Sequence, residues 1–253
     1  YPAARDQYRV LLKQQPDSGQ IVYSLALLAL EAGQLDDAKK QFEKLLELDY
    51  QPQQAYYYLG AIAEDGKDYD TALQWYRRVE NGEHWLEVQI RTARVEAEMG
   101  DVDTARERLR QLRLADPAQT QRLYLVEGDI LAQIDWHEEA FQLYTRYLES
   151  QPDDIEILYA RALVSEHLDR LDVAEADFRK VLEIEPDNAR TLNALGYTLA
   201  DRTDRYEEAY TYIERALTLE PDDPAVIDSM GWVLYRRGRL QEAREPLQKA
   251  YDL

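Results

Sequence analysis

Near the end of the chain, apolar residues recur at the spacing of two short helices joined by a turn. Ile227, Met230 and Leu234 lie three or four residues apart, which places them on one face of a helix. Gly238 then interrupts this helix, and a second apolar stripe that includes Leu247 follows it. The pattern predicts an antiparallel helix pair. Such a pair needs neighbours that stack on it, because one pair cannot bury its own apolar face.

The same pattern repeats along the chain with a period close to 34 residues. An alanine marks each second helix, at Ala4, Ala38, Ala72, Ala105, Ala140, Ala174, Ala209 and Ala243. A small residue lies on each first helix, at Ala26, Gly60, Ala93, Gly128, Ala162, Gly196 and Gly231. A large apolar residue follows each alanine by four positions, at Tyr8, Phe42, Tyr76, Leu109, Tyr144, Phe178, Ile213 and Leu247. We expect the two helices of a pair to cross where the small residues of both helices let the backbones approach.

Prolines close many of the second helices, because proline cannot continue a helix. They are Pro16, Pro117, Pro152, Pro186 and Pro221. The order of small residue, alanine, large apolar residue and closing proline on this period resembles the tetratricopeptide repeat (TPR) family. The resemblance covers the whole chain. It implies an all-α fold, a TPR α-solenoid in which antiparallel helix pairs form a right-handed superhelix.

The register predicts one TPR array over residues 1–253. It begins with a half repeat at residues 1–18. Seven helix pairs follow, at residues 19–52, 53–85, 86–120, 121–154, 155–188, 189–223 and 224–253. The chain starts within a repeat and stops as a second helix finishes, without the polar capping helix that usually shields the end of a solenoid. We therefore expect it to be a fragment of a longer protein.

Composition narrows the classes of partner. The formal net charge of −20 argues against nucleic acid, because phosphate binding depends on Lys and Arg. It also argues against docking on an anionic membrane surface. No apolar run approaches the length of a membrane span, so we expect no direct membrane insertion of this fragment. The chain has no cysteine, which removes disulfides, thiol catalysis and cysteine metal sites.

The sequence offers no motif for catalysis, a metal or a cofactor. His84, His137 and His167 belong to different repeats, and residues 136–141 contain only the first half of a zinc-binding H-E-x-x-H motif. Phe141 stands at the second ligand position. An enzyme would need titratable groups that converge in one pocket, so we predict a non-enzymatic protein.

The first helices of TPR arrays line a concave groove, and the family resemblance implies the same here. Positions three before and one after the small residue, with positions nearby, are expected to face it. The predicted protein-binding groove contains Tyr23, Tyr57, Arg91, Arg94, Asp129, Tyr159, Asn193, Tyr197, Asp228, Trp232 and Tyr235. Leu27, Ala61, Ile90, Leu125, Leu163, Glu64 and Glu166 share this face. Aromatic residues suit protein recognition because they bury much area at low rotamer cost. The alternative is that several tyrosines pack between adjacent repeats.

One TPR subclass grips the C-terminal carboxylate of chaperone tails with residues on consecutive first helices. The matching positions here are Arg91 with Arg94, and Arg190 with Asn193 three repeats later. The two pairs are too far apart for one clamp, so we reject chaperone-tail binding. Each pair could still hold a carboxylate of another partner.

A narrower resemblance rests on residues 193–201 and 227–236. They are similar to the C-terminal repeats of TPR lipoproteins of proteobacterial envelopes, which include an outer-membrane adaptor. That adaptor binds a carboxyl-terminal-processing protease and presents cell-wall hydrolases to it. The resemblance implies a periplasmic adaptor, anchored to the outer membrane through a missing lipidated segment, although a cytoplasmic location stays open. The alternatives are a scaffold of another envelope assembly, such as polysaccharide export, and a self-assembling structural array.

Overall fold

A computed structural model describes the backbone of residues 2–252 and their side chains, except those of residues 2–6 and 9. Within this range the regular structure is entirely helical, with fifteen α-helices and one short 3-10 turn at Pro117–Gln119. The all-α prediction is therefore confirmed. The side chain of Ala4, which marks the predicted half repeat, lies outside the described residues.

The helices fall into two compact units, Tyr1–Gln119 and Thr120–Leu253. The first unit contains α1 (Pro2–Gln14), α2 (Gly19–Glu31), α3 (Leu35–Glu47), α4 (Pro52–Asp65), α5 (Tyr69–Tyr76), α6 (Trp85–Glu98) and α7 (Val102–Ala115). The second contains α8 (Thr120–Gln133), α9 (His137–Leu148), α10 (Ile155–His167), α11 (Leu171–Ile184), α12 (Ala189–Arg202), α13 (Tyr206–Leu219), α14 (Pro224–Arg236) and α15 (Leu240–Asp252). One continuous array over residues 1–253 remains a prediction.

Within each unit, consecutive helices pair as the register predicts, from α2 with α3 through α14 with α15. The marker alanines of the second helices lie in the core. Those described are all buried, namely Ala38, Ala72, Ala105, Ala140, Ala174, Ala209 and Ala243. The 34-residue register therefore identifies the buried face of each second helix.

The glycines of the first helices have a neighbour in addition to the predicted backbone of the second helix. A Cβ atom built on Gly128 would lie 1.9 Å from the hydroxyl oxygen of Tyr144 and 2.1 Å from its Cζ atom. At Gly196 the same atom would lie 2.5 Å from Ile213 and 3.0 Å from the carbonyl oxygen of Ala209. Gly60 with Tyr76 and Gly231 with Leu247 repeat the arrangement. The large residue after each alanine thus occupies the space over the glycine, in addition to any close backbone approach.

The turn inside most pairs contains one residue in the left-handed backbone conformation. Glycine supplies it at Gly33, Gly100 and Gly238, as its lack of a Cβ atom permits. The equivalent residues of other pairs are Lys67, Asp135 and Asp169, with φ between 57° and 61°. The turn geometry is therefore shared by repeats whether or not they carry the glycine.

Candidate protein-binding faces

In the first unit, the predicted groove residues Tyr23, Tyr57 and Arg94 are half-buried on α2, α4 and α6. The rings of Tyr23 and Tyr57 contact other rings of the unit. Tyr57 stacks on His84, with ring centroids 4.1 Å apart, and Tyr23 lies 6.5 Å from Tyr58. Burial and the neighbouring Tyr23 raise the pKa of Tyr58 to about 12. Much of the aromatic surface in this unit is therefore used internally, as the alternative interpretation anticipated.

Arg91 is already compensated inside the first unit. Its Nη1 donates to the Glu64 carboxylate at 3.1 Å, and its Nε lies 3.4 Å from Glu87. The Tyr76 hydroxyl donates to the same Glu64 carboxylate, and burial together with this bond raises the pKa of Tyr76. These bonds disfavour a role for Arg91 in binding a partner's carboxylate. Ile90, beside it, is 3% exposed, which contradicts its predicted place on the groove surface.

The second unit presents a more open surface. Three successive first helices each expose one large side chain on their predicted inner side: Leu163 of α10 is 36% exposed, Tyr197 of α12 is 42% exposed, and Tyr235 of α14 is 51% exposed. Helix α12 packs on α14, and the Thr198 hydroxyl of α12 donates to Glu166 of α10. These helices therefore form one surface. We call it the acidic–aromatic face, and it comprises Leu163, Glu166, Tyr197, Asp228, Trp232 and Tyr235.

Negative charge surrounds Tyr197 on this face. Burial raises the pKa of its hydroxyl, and the carboxylates of Asp201, Asp228 and Glu166 raise it further. Burial also raises the pKa of Glu166, against the lowering effects of its hydrogen bond from Thr198 and of the nearby His167 and Arg202. Asp228 is exposed and has no ion-pair partner in the part of the chain that the structure describes. The face therefore combines exposed rings with carboxylates that no cation fully compensates.

Other predicted groove residues of the second unit are partly used in packing. Tyr159 lies 5.6 Å from Phe178, measured between ring centroids, and the Arg190 guanidinium lies 3.8 Å above its ring. Trp232 packs against the same core cluster and stacks on Tyr235, with ring centroids 5.5 Å apart. Tyr159 is therefore partly used in core packing and Tyr197 is exposed, although the sequence predicts that both face the groove.

Two of the predicted groove residues in the second unit, Asn193 and Asp129, are polar. Asn193 of α12 is half-buried, and its amide oxygen has no hydrogen-bond partner among the described residues. Asp129 of α8 is exposed, and its charge adds to the burial that raises the pKa of Tyr144. Arg190, which was expected to hold a partner's carboxylate together with Asn193, lies 3.5 Å from the carboxylate of Glu156. Arg190 is therefore partly compensated within the unit.

Models of the tetratricopeptide repeat match residues 1–38, 23–84 and 90–155, and a second form of the model matches residues 155–188 and 189–223. These matches span most of the chain. The chain belongs to the TPR family. TPR proteins are generally protein–protein interaction scaffolds. The family therefore supports the prediction that this chain is a scaffold of that class.

A bacterial relative shares part of this TPR chain. The TPR repeat-containing protein PA4667 of Pseudomonas aeruginosa is 42% identical over 149 residues, which are 59% of this chain and 25% of that protein. The matched part of the chain therefore spans about a quarter of the length of this curated relative.

Solved structures share the TPR fold. The crystal structure of yeast Tom70 has a TM-score of 0.70 and 16% identity, and the match covers 100% of this chain and 55% of Tom70. A TPR protein from Parabacteroides merdae has a TM-score of 0.62 and 16% identity, with 93% of each chain covered. At these identities the likeness shows the fold alone.

The structure also places two histidines of neighbouring TPR repeats together. His137 at the start of α9 and His167 at the end of α10 stack with ring centroids 4.5 Å apart. The 34-residue period assigns the two histidines to separate repeats but does not predict this contact, because the contact depends on how adjacent helix pairs stack. Across the described residues, no group of three or more His, Asp or Glu side chains is arranged to hold a metal ion. No described helix is long and apolar enough to cross a membrane.

Proposed function

We propose that this chain is a non-enzymatic scaffold that binds protein partners through the acidic–aromatic face of its second unit. The observation that carries this proposal is the exposure of Leu163, Tyr197 and Tyr235 on successive first helices. Exposed aromatic side chains anchor protein interfaces because they bury a large area with few rotatable bonds. The half-buried rings of the first unit serve mainly to hold that unit together.

We further propose that the scaffold is a periplasmic adaptor, which binds a carboxyl-terminal-processing protease and delivers cell-wall hydrolases to it. The support for this is the similarity of residues 193–201 and 227–236 to repeats of envelope TPR lipoproteins. The match to a bacterial TPR protein is compatible with it. An adaptor needs no catalytic group of its own, because holding the protease and its substrate on one scaffold raises their effective concentration.

The test is a purified mixture of a carboxyl-terminal-processing protease and a cell-wall hydrolase, with and without this chain. We expect the chain to accelerate degradation. We expect Tyr197→Ala and Tyr235→Ala each to weaken hydrolase binding by about 1 kcal/mol or more, and to slow degradation accordingly. Tyr251→Ala is the matched control, because Tyr251 is an exposed tyrosine on a second helix and outside the face.

Two further measurements separate the parts of this proposal. Cleavage of a generic unfolded substrate reports whether the chain activates the protease or only delivers the hydrolase. Equal hydrolase degradation with and without the chain would overturn the adaptor role. Unchanged partner binding by both face variants would show that another surface carries the interaction.

A further inference from the structure

We infer that the acidic–aromatic face takes a positively charged segment of its partner, with a lysine or arginine side chain seated on Tyr197 between Glu166 and Asp228. The inference rests on the proposed scaffold function and adds the chemistry of the segment that is recognised.

The charge balance of the second unit favours a cationic segment. Four carboxylates elsewhere in the second unit are matched by arginines of the next repeat: Glu138 with Arg170, Asp187 with Arg215, Glu175 with Arg205, and Glu207 with Arg237. Glu166 and Asp228 have no such ion pair within the described residues. Glu166 accepts only a neutral hydroxyl donor, Thr198. A cation from a partner would supply the compensation that the chain itself supplies at those four carboxylates.

The Tyr197 ring is open to a cation from a partner. Cations already lie over other aromatic rings of this unit: the guanidinium of Arg190 is 3.8 Å from the centroid of Tyr159, and that of Arg237 is 4.3 Å from the centroid of Tyr210. Tyr197 has no cation over its ring in the described part of the chain, and its ring is among the exposed ones. An open ring beside carboxylates is a favourable place for a lysine or arginine side chain.

Partners of other charge fit this face less well. The nearest arginines are already bonded: Arg202 donates to Asp169, and Arg236 donates to the Asp201 carbonyl oxygen and to the Tyr206 hydroxyl. An acidic segment would therefore meet carboxylates without an unbonded cation beside them. A purely apolar segment would cover Glu166 and Asp228 without replacing their water, which is unfavourable for charged groups.

The overall acidity of the chain requires a control for general attraction, because a protein of net charge −20 attracts any cationic peptide. Asp228→Asn removes one charge from the face. Asp172→Asn makes the same substitution at an exposed position on the second helix α11. The two variants have equal net charge, so a difference between them reports the position of the charge.

The experiment measures binding of labelled peptides to the full chain by fluorescence anisotropy. Three peptides of equal length share the same leucine and tyrosine positions and carry lysine, glutamine or glutamate at the remaining positions. We expect the lysine peptide to bind best, and Asp228→Asn to weaken its binding about fivefold or more. We expect Asp172→Asn to change it less than twofold, and Tyr197→Ala to weaken it while leaving the helical content unchanged.

The inference is overturned if the glutamate or glutamine peptide binds as tightly as the lysine peptide. It is also overturned if Asp228→Asn and Asp172→Asn weaken binding equally, because the attraction would then belong to the whole molecule.

Failure of the inferred charge preference can be distinguished from failure of the scaffold function. If hydrolase degradation depends on Tyr197 but the peptides show no preference for lysine, the scaffold stands and the inferred charge is wrong. A preference for lysine with no effect on degradation would instead support the face and refute the adaptor role.

Discussion

Gly128 shows how one missing side chain shapes a repeat. The buried ring of Tyr144 occupies the space that a side chain on Gly128 would fill, and its hydroxyl lies 3.5 Å from the Leu125 carbonyl oxygen. Gly60 and Tyr76 form a second pair of this kind. Two repeats combine alanine on the first helix with phenylalanine, as Ala26 with Phe42 and Ala162 with Phe178, and each of these pairs shares a core cluster. In these four repeats the smaller first-helix residue accompanies the ring with the extra hydroxyl, whereas Gly196 and Gly231 are covered by the aliphatic Ile213 and Leu247.

This pairing predicts the effect of a single methyl group. Gly128→Ala places the Cβ atom within the van der Waals radius of the Tyr144 ring, so we expect it to destabilise the protein by about 1–3 kcal/mol. Adding Tyr144→Phe should recover part of this loss, because it removes the hydroxyl group nearest to the new atom and recreates the alanine–phenylalanine pair. Gly66→Ala is the control, since an added Cβ there meets ordinary contacts at 3.5 Å. Urea unfolding of the variants measures the differences, and an additive double variant would contradict direct contact.

At the scale of helices, a buried ion pair joins elements of the second unit. Arg161 of α10 donates two hydrogen bonds to Asp177 of α11, at 2.7 and 2.8 Å, and a third to Thr145 of α9 at 3.2 Å. Asp177 is buried, so its charge depends on this guanidinium. Three consecutive helices therefore share one polar contact.

Removing the arginine should leave the buried carboxylate without a partner. We expect Arg161→Met to destabilise the second unit by about 3–5 kcal/mol, as loss of one partner of a buried pair does. Arg215→Met is the matched control, because Arg215 and Asp187 form a pair in which both side chains are largely exposed, and such pairs contribute about 0–1 kcal/mol. Thermal unfolding of both variants compares the two positions. Equal losses would show that the Arg161 pair contributes no more than a surface pair.

At the scale of the whole molecule, the two compact units predict where damage spreads. Ala140 is fully buried in the second unit, so Ala140→Leu should overpack its helix pair by about 1–3 kcal/mol. In repeat proteins each repeat contacts only its neighbours, so hydrogen-exchange protection should fall in α8 to α10 and persist in α2 to α4. Ala225→Leu, at an exposed position of α14, is the control. A uniform loss of protection in both units would contradict local coupling.

Much of this architecture was predictable, because a period of 34 residues constrains every repeat at once. The register located the helix pairs and the buried alanines. It did not separate Tyr159, which packs on Phe178, from Tyr197, which is exposed, because both lie at positions expected to face the groove. Tyr159 is covered by Phe178 of its own repeat and by the Arg190 guanidinium of the next one, and the second of these contacts depends on how the repeats stack.

The pairing of glycine with tyrosine and of alanine with phenylalanine also bears on how the gene can be duplicated. The two members of the pair, Gly128 and Tyr144, lie in the same repeat, so copying or exchanging a whole repeat keeps them together. A recombination breakpoint between the two helices can instead join the alanine helix of one repeat, such as that of Ala162, to the tyrosine helix of another. The hybrid repeat would then carry a steric clash at its centre. Viable rearrangements of this chain are therefore expected to have their junctions between repeats rather than within them.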